Sequence, residues 1–208
     1  GVVGVGYVGI QLLIQLSKKN FKTIGFDKDK NKLSKLSTGE SPFSYINNQK
    51  IRSLKKKCFY TDKYENIRIC DIIIICLPTP IKKDTKPDLS AIVSTFYKLK
   101  KYIKKGQLII LESTTYPGTT REKIGKNLKK FKLGQDLFLS YSPERENPGS
   151  KVPFSTIPKI TSGYSENCLR LSQTLYKKIV DSVVTANSLE EAEMTKLLEI
   201  QSVTSAFF

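Results

Sequence analysis

The run Gly4-Val-Gly-Tyr-Val-Gly9, followed by Asp27, has the residue types and spacing to hold a pyrophosphate. In such a run Gly4 permits a tight turn, Gly6 lets the backbone approach the anion, and Gly9 brings a helix close against a strand. The helix start adds free N–H groups and the positive end of its dipole. Asp27 would accept from the hydroxyls of an adenosine ribose and repel a 2'-phosphate, which favours NAD over NADP. Lys28 and Lys30 beside it act in the opposite sense. Glycines punctuate any tight turn, so the pattern gains its meaning from the apolar strand before it and the helix after it.

Three further stretches pack prolines beside hydroxyls or charges: Cys76-Leu-Pro-Thr-Pro80, Glu112-Ser-Thr-Thr-Tyr-Pro-Gly-Thr-Thr120 and Tyr141-Ser-Pro-Glu-Arg-Glu-Asn-Pro-Gly149. Each follows a candidate strand at its C-terminal end, where open α/β sheets bind ligands. Thr79 and Thr114 serve equally well as ligand contacts or as turn caps. Glu144 is either a solvated charge or a catalytic carboxylate, and its place on the same edge favours the second role.

The elements that must position these residues follow from periodicity. Short Val- and Ile-rich runs predict strands at 2–4, 22–27, 71–76, 107–111, 137–140, 159–161 and 179–183. Helical period predicts helices at 7–19, 30–36, 89–101, 117–130 and 166–177. The continuous apolar runs imply burial on both faces. The expected fold is α/β, a doubly wound Rossmann-like parallel sheet over residues 1–185, followed by the start of a long helix over 186–208. Ser188, with Glu191 three residues on, gives that helix a capping box.

Composition narrows the chemistry. The 208 residues are 39% apolar and 26% charged, which suits a globular domain. There is no histidine, and the four cysteines (Cys58, Cys70, Cys76, Cys168) form no C-x-x-C pair. Neither a zinc site nor a Ser-His or Cys-His pair can be assembled. The net charge of +16 invites a nucleic-acid reading, but only five of the 35 basic residues are arginine and the lysines are scattered. Solvated surface and an anionic small ligand account for the charge without nucleic acid. No apolar run approaches the roughly 20 residues that span a bilayer, and the start lacks the basic opening of a signal peptide, so a cytoplasmic protein without membrane association is expected.

Taken together, these motifs resemble the UDP-glucose/GDP-mannose dehydrogenase family, and most closely its UDP-N-acetylhexosamine 6-dehydrogenases. The resemblance runs from Gly1 to about Glu199. It implies that Gly4, Gly6, Tyr7, Val8, Gly9, Asp27 and Lys32 bind NAD, with Thr79 and Thr114 near the nicotinamide and Thr114 among the catalytic groups. It implies that Glu144 is the acid-base carboxylate and that Lys196 stabilises an oxyanion. It also implies a UDP-sugar substrate and a homodimer formed through the central helix. The family's nucleophile lies in a Gly-x-Cys-x-Pro loop, and no such loop occurs in this sequence. The family's asparagine four residues after the lysine is replaced by Ile200, and the residues beyond it diverge. The expectation is therefore an NAD-binding half, inactive alone, that lacks the UDP-binding domain and ends inside the central helix. A stand-alone NAD-binding module and a β-hydroxyacid dehydrogenase relative are the alternatives.

Overall fold

The computed structural model describes residues 1–81, 87–144 and 153–205, with side chains through Leu198 in the last helix. Eight strands are found among them: β1 (Val2–Val3), β2 (Thr23–Phe26), β3 (Cys58–Thr61), β4 (Ile72–Ile75), β5 (Leu108–Leu111), β6 (Phe138–Tyr141), β7 (Lys159–Gly163) and β8 (Val183–Thr185). They form one sheet in the order β3-β2-β1-β4-β5-β6-β7-β8. The chain winds outward from β1 to β3, then returns to lay β4 beside β1, with Val2 opposite Ile74 and Val3 opposite Ile75. That reversal creates a crevice between the loops that leave β1 and β4.

Consecutive strand residues face opposite layers, which is why whole strands are apolar. Ile74 and Ile110 pack with Leu12 and Leu13 of α1 (Tyr7–Lys18), Leu36 of α2 (Lys30–Thr38), Ile51 of α3 (Asn48–Arg52) and Tyr176 of α5 (Glu166–Tyr176). Ile73, Ile75, Ile109 and Leu111 pack on the other face with Ile92 and Phe96 of α4 (Ser90–Leu99). The first turns of α6 (Leu189–Ser205) add Leu189 and Ala192 to that second core. Each such side chain contributes about 2 kcal/mol by leaving water.

The doubly wound sheet is as expected from the sequence, but several elements differ, among them the unanticipated α3. The edge strand β3 was not anticipated: it is four residues long, sits behind a lysine run, and exposes Phe59. β7 runs antiparallel to β6. Parallel neighbours need a crossover of a dozen or more residues, usually helical, and the connection after Tyr141 carries Pro143, Pro148, Pro153 and Pro158 instead. The last strand begins at Val183, because Ile179 and Val180 are buried in the turn that follows α5. The helix expected over 117–130 is a wide π turn (Thr120–Ile124) followed by a 3₁₀ turn (Gly125–Leu128).

The serine half of the α6 capping box forms as expected, and its glutamate half is shifted by one residue. Ser188 Oγ accepts from Glu191 N at 3.0 Å, while the Glu191 carboxylate accepts from Asn187 N at 2.8 Å rather than from the Ser188 N–H. Arg145 and the rest of its loop, and the side chains of Ile200, Val203, Phe207 and Phe208, lie outside the described residues. No described helix is long and apolar enough to cross a membrane.

Candidate active site

At the crevice lies a cleft of about 540 Å³, bounded by the loops after β1, β2, β4, β5 and β6 and by α4. A larger hollow, of about 810 Å³, sits at the N-terminal ends of β1, β2 and β4 and is lined by Lys55, Lys56 and Lys57 among others. Size does not choose between them. Ligands of open α/β sheets bind beyond the carboxyl ends of the strands, and the smaller cleft holds the sequence motifs.

The centre of the cleft is the turn between β1 and α1. Gly4 has φ +94°, and a Cβ there would sit 2.7 Å from the Cys76 carbonyl oxygen. A Cβ on Gly9 would lie 2.0 Å from the Gly4 carbonyl oxygen, so strand and helix touch through bare backbone. Gly6 differs, since a Cβ there would meet nothing within 4 Å, and no side chain caps α1. Open space above uncapped N–H groups is the cradle that a pyrophosphate fills. Tyr7 and Val8 line the same wall, and Tyr7 packs edge-on against Tyr45 at 4.8 Å.

At one end, Asp27 closes β2. Its carboxylate accepts from Val5 N at 3.0 Å, from Asp29 N at 3.0 Å and from Lys32 Nζ at 2.8 Å. These bonds tie the glycine loop to the start of α2 and hold the acid in place, with acceptor capacity left for a ribose. Lys28, Lys32 and Lys98 give this end a positive rim.

The other end collects Thr79, Thr114, Glu112 and Glu144. Among the described residues neither threonine hydroxyl makes a turn-capping hydrogen bond. Beneath them lies a buried ionic group that sequence reasoning missed. Lys159 Nζ, at the start of β7, donates to Glu112 Oε2 at 3.1 Å and to Glu144 Oε2 at 3.0 Å. Tyr176 donates its hydroxyl to the other Glu112 oxygen. Burial pushes the Glu112 carboxyl above 4.5, with Lys159 opposing. Burial works against the Lys159 ammonium, but Glu112 and Glu144 outweigh it and hold it above 10.5. The available clue was a lysine opening an otherwise uncharged strand. Cys76 borders the same group, and burial, then the charge of Glu112, pushes its thiol well above 9.0, so it is no ready nucleophile.

Of the site residues expected from the sequence, Gly9 lies under the cleft as packing, while Lys196 is half-buried on α6 and is not among the cleft-lining residues. A neighbour of Lys196 ties α6 to the site. Glu193 accepts from Gly118 N at 2.6 Å, Thr120 N at 2.7 Å and Thr120 Oγ1 at 2.6 Å, on the loop that carries Thr114.

Residues 1–180 match the family model for the NAD binding domain of UDP-glucose/GDP-mannose dehydrogenases. The chain belongs to that family. It is similar to the UDP-N-acetyl-D-glucosamine 6-dehydrogenase of Pseudomonas aeruginosa, at 34% identity over 95% of this chain and 48% of that protein. Protein CapL of Staphylococcus aureus is 36% identical over 95% of this chain and 47% of its own length. Among solved structures, the UDP-N-acetyl-mannosamine dehydrogenase Cap5O from S. aureus superposes with a TM-score of 0.87 and 27% identity, over 95% of this chain and 49% of that one. The chain thus spans about half the length of the relatives it matches. As a member of this family it carries an NAD-binding domain, and the open cradle at Gly6 fits that cofactor.

Proposed function

We propose that this chain is the NAD-binding half of a nucleotide-sugar 6-dehydrogenase that acts on a UDP-N-acetylhexosamine. The observation that carries this reading is the placement of the glycine loop, Asp27, Thr79, Thr114 and Glu144 around one cleft at the switch point of the sheet. NAD, when bound, supplies the hydride acceptor. The backbone around Gly6 takes the pyrophosphate, Asp27 and Lys32 take the adenosine ribose, and Thr79 and Thr114 flank the reacting end. Glu144 accepts a proton from water at its carboxylate. Lys196, one turn beyond Glu193 on α6, offers its ammonium to a developing oxyanion in the complete enzyme. We read residues 1–185 as the binding domain and α6 as the start of a central helix through which two copies pair in the cytoplasm. The exposed Met194 and Leu198, four residues apart, give that helix an apolar surface.

Oxidation through to the acid needs a cysteine thiolate, and the family's Gly-x-Cys-x-Pro loop does not occur in this sequence, whose Cys70, Cys76 and Cys168 are buried. The chain is therefore expected to bind NAD in calorimetry and to form no uronic acid from any UDP-N-acetylhexosamine. Absence of NAD binding would refute the reading. Asp27→Ala is expected to weaken NAD about thirtyfold, or ~2 kcal/mol, and to narrow the preference over NADP. Titration of both cofactors into the two proteins checks this.

A further inference from the structure

We propose that Lys159 is a positioning residue for the active site: its buried ammonium, shared between Glu112 and Glu144, fixes the Glu144 carboxylate at the end of the cleft opposite Asp27. The inference rests on the reading of Glu144 as the acid-base group and adds to it a residue outside the sequence motifs.

The geometry is that of a clamp. The Lys159 side chain is 4% exposed and that of Glu112 is fully buried, whereas Glu144, at 12%, is the most exposed of the three. Lys159 stands on β7, the strand that turns antiparallel at β6, and Glu144 follows β6 by three residues. The antiparallel turn therefore brings the ammonium under the loop that carries the acid. Glu112 ends β5 and is held by Tyr176 from α5, so the ammonium is anchored from behind before it meets Glu144.

The electrostatics follow from the count of charges. One ammonium faces two carboxylates, 3.1 and 3.0 Å away, in a group that water hardly reaches. An opposite charge at such a distance favours the ionised carboxylate, and a second carboxylate disfavours it. Glu144 is thus a base whose strength responds to both Lys159 and Glu112. Among the described residues, the other titratable groups packed against this cluster are Cys76 from β4, Tyr176 from α5 and Tyr141 from β6, and burial keeps all three protonated. Among the described residues, Lys159 is therefore a cation set against Glu144, and Glu112 a competing anion.

The test is a pH titration of the Glu144 carboxyl carbon by NMR in glutamate-labelled chain, with the resonance assigned through Glu144→Gln. Lys159→Met is expected to raise the Glu144 midpoint by about one pH unit or more, a tenfold change in proton affinity. Lys159→Arg is expected to restore most of that shift. Glu112→Gln leaves the ammonium to Glu144 alone and is expected to lower the midpoint, a sign that loss of packing would not produce. A midpoint within about 0.3 unit of the parent in Lys159→Met, or a shift of the same sign in Lys159→Met and Glu112→Gln, would overturn the proposal. Should Lys159→Met fail to fold, the direction in Glu112→Gln decides alone. No NAD enters these titrations, so a chain that fails to bind NAD yet shows opposite shifts sinks the functional reading and keeps the clamp, and the converse pairing does the reverse.

Discussion

Replacing Gly6 by serine is expected to leave the fold as stable as the parent while lowering NAD affinity about thirtyfold, or ~2 kcal/mol. Gly6 is the N-cap of α1, with φ −87° and ψ −157°, an extended conformation that serine adopts without strain. A Cβ there meets no protein atom within 4 Å, so nothing in the fold resists the side chain. The new hydroxyl would accept from the very N–H groups that hold the pyrophosphate and would occupy the space above them. Gly9→Ala should behave in the opposite way. Its Cβ would lie 2.0 Å from the Gly4 carbonyl oxygen, a backbone atom that has no rotamer to escape into. Strand and helix must separate, at a cost of about 3 kcal/mol, or roughly 6–12 °C in melting temperature for a domain of this size. Thermal melts beside NAD calorimetry on both variants separate the two roles. A Gly6→Ser chain that binds NAD as tightly as the parent would place the pyrophosphate elsewhere.

That contrast also marks how far the sequence carries. The glycine spacing is legible because Gly4 and Gly9 answer to steric demands that only glycine meets, while Gly6 keeps clear the space a pyrophosphate takes. The apolar strands are legible because burial on both faces leaves no room for polar alternation. Asp27 is legible as an acid closing β2, but its bonds to Val5 N, Asp29 N and Lys32 emerge only in three dimensions. The Lys159 clamp was not legible, since Glu112 and Lys159 are 47 residues apart and an ion pair leaves no periodic trace. The antiparallel β7 could have been anticipated from the prolines that deny its connection a crossover helix. The broken helix after Pro117 could not, because its first N–H groups are claimed by Glu193, far along the chain.

Glu193→Ala is therefore expected to be among the most damaging single substitutions in the chain. The carboxylate is buried and satisfies three donors at the head of the 118–128 segment, two of them the buried N–H and hydroxyl of Thr120. Each orphaned donor costs on the order of 1–3 kcal/mol, so a loss of about 4 kcal/mol is expected, close to the upper end for a single change. Glu193→Gln keeps the shape but points an amide N–H at the Gly118 N–H, and about half that loss should remain; a glutamine variant as stable as the parent would show that packing, not bridging, is at work. The neighbouring tie between Arg121 and Glu190, at 2.7 Å, is a useful contrast. Its hydrogen bond from Arg121 holds the Glu190 carboxyl below 4.5, so the folded state binds that proton less tightly than the unfolded one. The contribution is complete above pH 4.5 and is lost as pH falls through the lowered value. Both side chains are more than a third exposed to water or close to it, which limits the pair to under about 1 kcal/mol. Urea unfolding at pH 7 should thus find the Glu193 variant several-fold more damaged than Arg121→Ala. Faster amide exchange in α6 should accompany the loss in Glu193→Ala, because the same carboxylate fastens the helix carrying Lys196 to the loop carrying Thr114.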